Sequence, residues 1–125
     1  LGKVFASDTG FVLARNPDVV RIPDVAFISW ERRGRSERTA KFVPMAPDLA
    51  VEIVSPSDKM IEAHEKVKDY LEHGVAEVWV VEPSVQTVTK YLGSLLRTQV
   101  LGINDTLDGG EVLKGFSMPV ADLFK

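Results

Sequence analysis

The sequence predicts an α+β protein built on a mixed β-sheet with one main helix, and three observations lead there. Leu49 to Ser55, "LAVEIVS", is an almost unbroken apolar run of strand length, the pattern of a central strand covered on both faces. Directly after it the period changes from that of a strand to that of a helix, over "SPSDKMIEAHEKVKDYLEHG". Around these lie several short β-rich runs, so one helix serves many strands, which is an α+β or mixed-sheet order and not a βαβα repeat.

Taken in order, "KVFASDTGFVLA" holds two β-rich runs about the turn-forming Asp8-Thr9-Gly10 and is expected to be a hairpin. Asn16-Pro17-Asp18 reads as a turn and Ile22 to Trp30 as the next strand. "ERRGRSERTAKFVPMAP" is polar, basic and bounded by proline, hence a loop. The helix after the apolar run has Ser57 or Asp58 as its N-cap and Gly74 as the residue that ends it. "AEVWVVEPSVQTVTKYL" reads as two strands joined at Glu82-Pro83-Ser84, and "LDGGEVLKGFSMPVADLF" as a turn, a short strand and a terminal helical turn.

A chain of 125 residues, 45% hydrophobic and 26% charged, supplies one domain with one core. It opens at Leu1 without an initiator methionine, directly in a strand, so residues 1–125 are expected to be a single domain cut at its N-terminus. The absence of cysteine excludes disulfides, thiolate zinc sites and a cysteine nucleophile, and suits a reducing cytoplasm. No run approaches the roughly 20 apolar residues of a membrane span, and the start lacks a signal pattern, so no membrane partner is expected. A net charge of −3 argues against a protein that coats nucleic acid by charge alone. Any such contact must be local, and the segment from Glu31 to Lys41 offers a place for it. Arg32, Arg33, Arg35, Arg38 and Lys41 face only Glu31 and Glu37 there, a local +3 suited to a phosphate backbone or to plain solvation.

The chemistry centres on Glu52. Residues two apart in a strand share a face, so Ala50 and Val54 flank it, and an ionised carboxylate buried among them needs a cation or strong donors. It is either a structural carboxylate paired with an arginine or a metal ligand. If the strand holding "IPDVAFIS" pairs with "LAVEIVS", Asp24 meets Glu52 side by side. Asp48 stands four residues from Glu52, roughly 13 Å along the strand and too far to share an ion, and Asp18 belongs to a turn. Two carboxylates, a backbone carbonyl and water make an oxygen-rich site of the kind Mg²⁺ or Mn²⁺ takes. On the helix, Met60, Val67 and Leu71 define an apolar arc bordered by Tyr70, with Lys66 four residues earlier on the same side, either solvated or at the edge of a cleft. His64 and His73 show no metal-ligand spacing.

The ordered series "RIPDVAFIS", "APDLAVEIVSPSD", "EKVKDYLEHGVAEVWVVEP" and "MPVADLF" resembles a large bacterial family of putative restriction endonucleases, a domain of unknown function placed in the PD-(D/E)XK nuclease superfamily. The resemblance implies a restriction-endonuclease-like mixed sheet, with Asp24 as the acid of the first motif and Glu52 as the acid of the second. It implies that Asp24, Glu52 and the Ile53 carbonyl hold Mg²⁺ or Mn²⁺. The superfamily's lysine two residues after the second acid is here Val54, and Lys66 corresponds to its migrated replacement on the helix. Relatives carry an N-terminal helical region ahead of the segment that matches Leu1. The expected function is a metal-dependent endonuclease hydrolysing DNA, with the arginine loop on the backbone and, by analogy, a homodimer to cut two strands. The alternative is a nuclease-like domain without catalysis, acting in binding or assembly.

Overall fold

A computed structural model describes residues 1–33 and 42–125. Its centre is a six-stranded sheet in the order β1, β4, β6, β7, β8, β9, formed by Gly2–Phe5, Val25–Ser29, Leu49–Ile53, Glu77–Glu82, Thr87–Leu92 and Thr98–Leu101. Within this sheet, among the described residues, only β6 and β7 run parallel and every other neighbouring pair is antiparallel. The parallel pair requires a crossover, and helix α2 (Met60–Glu72) provides it. A three-stranded sheet of β3 (Val19–Arg21), β2 (Gly10–Ala14) and β5 (Phe42–Val43) lies beside the large one, and β10 (Thr106–Asp108) pairs with β11 (Ser117–Pro119) ahead of a terminal 3-10 helix over Val120–Phe124.

The apolar run does become a strand buried on both sides. Leu49 and Val51 face a core completed by Phe27, Trp79 and Val81 and closed from the C-terminal segment by Leu107 and Val120. Ala50 and Val54 face the opposite way, onto a core of Val78, Val80 and the α2 residues Ala63, Val67 and Tyr70. Burying each of these larger side chains contributes about 1.5–3 kcal/mol, which fixes both the register of β6 and the seat of α2.

Four features depart from the sequence reading. The expected hairpin around Asp8-Thr9-Gly10 does not form: β1 pairs with β4, while β2 pairs with β3 and β5. A turn signal specifies a reversal of direction but not which strand receives the edge. The N-cap of α2 is Lys59, with no side-chain cap, because the Asp58 carboxylate instead accepts the Ser55 N–H at 2.8 Å and shapes the entry loop. The helix buries Ala63, Val67 and Tyr70, whereas Met60 is exposed and Leu71 half-buried, so the apolar arc is rotated toward Tyr70. Finally, the segment read as a loop begins with a single helical turn, α1 (Trp30–Arg33), and holds the two-residue strand β5, which pairs parallel with β2.

The end of α2 follows expectation and matters for the site. Gly74 adopts a left-handed φ of 88°, its N–H bonds to the Leu71 carbonyl, and the Val75 N–H reaches back to the Tyr70 carbonyl at 3.0 Å. This paired arrangement satisfies the last carbonyls of the helix and anchors the turn that carries Tyr70.

Candidate active site

Three elements converge at the carboxyl end of β6. Val25 pairs antiparallel with Val51, and Asp24 stands just ahead of this pair at the entry to β4, which brings it to the end of β6 that carries Glu52. Asp24 is pinned twice to the neighbouring strand: its N–H donates to the Val51 carbonyl at 3.1 Å, and its Oδ2 accepts the Ile53 N–H at 2.7 Å. A residue in an extended strand points its N–H and C=O to the same side, so the Ile53 carbonyl faces this edge as well.

Glu52 is 5% exposed. Its partner is not an arginine. Lys66 Nζ donates to Oε1 at 3.2 Å and the Tyr70 hydroxyl donates to Oε2 at 2.8 Å. Burial pushes the Glu52 carboxyl above the ordinary range, the bonds from Tyr70 and Lys66 pull it back in part, and the nearby charge of Asp24 adds to the rise. Burial and the adjoining carboxylate drive the Tyr70 phenol far upward, so it remains a donor throughout the working pH range.

Asp24, Glu52 and Lys66 line one cleft of about 250 Å³, together with Asp58, Lys59 and Glu62. Neither Asp58 nor Glu62 is a site residue on the sequence reading. A signal for them exists nonetheless, because Asp58, Glu62, Lys66 and Tyr70 recur every four residues and so form one ridge of the helix and its entry. Among the described residues no group of three His, Cys, Asp or Glu side chains converges on one point. A hard divalent cation here would therefore take the Asp24 and Glu52 oxygens and complete its shell with a carbonyl and water, a donor set that suits Mg²⁺ or Mn²⁺ and not Zn²⁺. His73 Nδ1 is occupied by the Asp69 carbonyl at 2.6 Å, away from this set.

The basic segment stands elsewhere. Arg32 Nη1 contacts Asp48 Oδ1 at 2.9 Å, and the Arg33 guanidinium lies 5.5 Å from the centre of the Phe5 ring. Both follow the far end of β4, roughly 17 Å along the strand from Asp24, and so stand apart from the acid cleft. Arg35 and Arg38 lie outside the described residues.

The resemblance carried by the motifs is matched by comparison with known proteins. The solved structure of a putative nuclease belonging to DUF820 from Anabaena variabilis superimposes with a TM-score of 0.80 at 24% identity, covering 98% of this chain and 68% of that one. This likeness establishes the fold. No protein of curated function matches the chain. No helix among the described residues is long and apolar enough to cross a membrane. Residues 1–121 match the family described as Uma2, putative restriction endonuclease, and the chain belongs to that family.

Proposed function

We propose that the protein is a metal-dependent endonuclease that hydrolyses phosphodiester bonds in DNA. The observation that carries this reading is the meeting of Asp24 and Glu52 in one cleft with Lys66 bonded to the buried acid. Asp24 and Glu52, with the Ile53 carbonyl, supply the oxygens that hold Mg²⁺ or Mn²⁺. Bound there, the ion supplies charge neutralisation at the attacked phosphate and lowers the pKa of water.

The remaining work falls to the chain itself. Lys66 places its ammonium at the mouth of the cleft, where it bonds Glu52, orients the attacking water and complements charge gathering on the phosphate. Val54 leaves the adjoining wall apolar, so the cation comes from α2 rather than from the strand. Arg32 and Arg33 lie far enough along the sheet to meet the backbone at a separate phosphate, which favours a polymer over a mononucleotide.

Cleavage of plasmid and single-stranded DNA, with and without Mg²⁺ or Mn²⁺, tests the proposal. Metal-dependent cleavage that Asp24→Asn and Glu52→Gln both abolish is expected. Mn²⁺ binding without cleavage of any nucleic acid leads instead to a nuclease-like binding module; absence of Mn²⁺ binding overturns the cation site.

A further inference from the structure

The Glu52 carboxylate is held from two sides by two successive turns of one helix. Lys66 approaches Oε1 from the cleft, with its side chain 38% exposed, whereas Tyr70 approaches Oε2 from the core and is fully buried. The two donors differ in kind. The lysine is a mobile ammonium at the solvent edge, and the phenol is a fixed donor whose ring packs with Val67 and Val75. Its main chain is anchored by the Val75 N–H, and the adjacent Asp69 is clamped by Arg21 of β3, whose Nε donates to Asp69 Oδ2 at 2.8 Å. A ring locked in this way can hold a neighbouring group to a single orientation.

We infer that Tyr70 is a positioning residue for the cation site: it occupies Glu52 Oε2 and so presents Oε1 alone to the cleft. The inference rests on the proposed cation site and assigns it a further member that touches neither the ion nor the substrate. Without this bond the carboxylate keeps, among the described residues, only the part-exposed Lys66 ammonium as a partner and can turn about its terminal torsion, which is broad and roughly two-fold. It would then meet an ion in several geometries. Tyr70 removes that freedom before the ion arrives, as do the partners that orient metal ligands in other proteins, whose loss costs about 10- to 100-fold in metal affinity or activity. Substrate affinity has no such dependence, because Tyr70 is sealed beneath the cleft.

The test is Mn²⁺ binding by calorimetry and paramagnetic resonance on the 125-residue chain and on Tyr70→Phe, which keeps the ring and deletes only the hydroxyl. A folded Tyr70→Phe variant is expected to bind Mn²⁺ about 10- to 100-fold more weakly. Its manganese signal should broaden as the coordination becomes heterogeneous, and kcat should fall with KM for DNA unchanged. If the hydroxyl served stability alone, the thermal midpoint would drop while Mn²⁺ affinity stayed within about two-fold of the parent, and the inference would be overturned. Should Tyr70→Phe fail to fold, p-aminophenylalanine at position 70, which keeps the ring and sets an N–H donor where the hydroxyl stands, is expected to retain most of the Mn²⁺ affinity; its loss in the folded protein counts against the inference. A parent that binds no Mn²⁺ removes the cation site and this inference together. Binding lost in Glu52→Gln but kept in Tyr70→Phe removes the inference alone.

Discussion

Lys66 Nζ stands 3.2 Å from Glu52 Oε1, although 14 residues and a change from strand to helix separate the two. The helix thus returns a cation to the acid strand at the place where Val54 supplies none. Because Val54 lines the same cleft as Lys66, the charge can in principle enter from either element.

On the proposed reading, Lys66→Ala lowers single-turnover DNA cleavage by about 100-fold, the order seen when one charge-stabilising donor is lost. The double variant Val54→Lys/Lys66→Ala should recover part of that rate, at a cost of about 1–3 kcal/mol from overpacking against α2. A Lys66→Ala rate equal to the parent's excludes the lysine from the mechanism.

Asp24 holds the Ile53 N–H as well as facing the cleft, so its two roles separate by substitution. Asp24→Asn keeps a carbonyl oxygen for the Ile53 N–H and should cost no more than about 1 kcal/mol, the difference between a charged and a neutral acceptor, while abolishing Mn²⁺ binding. Asp24→Ala loses both and should cost about 1–2 kcal/mol, because the donor is left without its acceptor. Urea denaturation beside Mn²⁺ calorimetry distinguishes the two variants.

The parts of this site carried by local pattern are legible in the sequence. Alternation places Glu52 between Ala50 and Val54, and the antiparallel pairing of β4 with β6 brings Asp24 to the same end of the sheet. The period of α2 sets Lys66 on the side of Tyr70. What pattern does not supply is the identity of the donors to Glu52. An arginine is one expectation, and the phenol that takes Oε2 reads as a border residue, because a rotation of the helical arc by one position exchanges a rim for a core. The expected hairpin fails for a related reason. The edge of β1 is claimed by β4, a pairing between segments more than 20 residues apart that no turn signal encodes.

Burial raises the Glu52 carboxyl above its ordinary 4.5, and Tyr70 and Lys66 offset only part of that rise. The folded protein therefore keeps this proton at pH values where the unfolded chain has released it. The stabilisation is full below about pH 4.5 and is lost as pH rises through the higher folded value. Thermal midpoints followed from about pH 4 to about pH 8 should fall for the parent relative to Glu52→Gln across that window. Saturating Mn²⁺ binds the ionised form, so its increment in midpoint should grow over the same window.

Asp48 anchors the start of the basic segment through unequal contacts. Its Oδ2 accepts the Ser29 N–H at 2.7 Å and its Oδ1 meets the partly exposed Arg32 at 2.9 Å. An exposed ion pair contributes about 0–1 kcal/mol, whereas an abandoned backbone donor costs about 1–3 kcal/mol. Asp48→Ala should therefore destabilise by about 1–3 kcal/mol and Arg32→Ala by less than about 1 kcal/mol. In DNA binding the order reverses: Arg32→Ala lowers the salt dependence by about one phosphate contact, measured as the slope of log affinity against log salt.

Away from the cleft, Lys90 is 2% exposed and holds the C-terminal segment to the sheet. Its Nζ donates to the Asp108 carbonyl at 2.9 Å, lies 3.8 Å from Glu77 Oε1, and sits 5.5 Å from the centre of the Trp79 ring, its cross-strand neighbour. Trp79 Nε1 donates to the same Glu77 oxygen at 3.0 Å. Removing the ammonium strands the buried Glu77 carboxylate with a single neutral donor, so Lys90→Ala should cost about 3–5 kcal/mol. Lys90→Met combined with Glu77→Gln removes both charges, keeps volume and leaves an amide for the indole N–H; most of the loss should be regained, and a double-mutant cycle in urea measures the coupling. Because Asp108 belongs to β10, Lys90→Ala should also speed proteolysis within residues 105–120 relative to the rest of the chain. Equal cleavage throughout would mean that the cluster stabilises the sheet as a whole and not the attachment of its C-terminal cover.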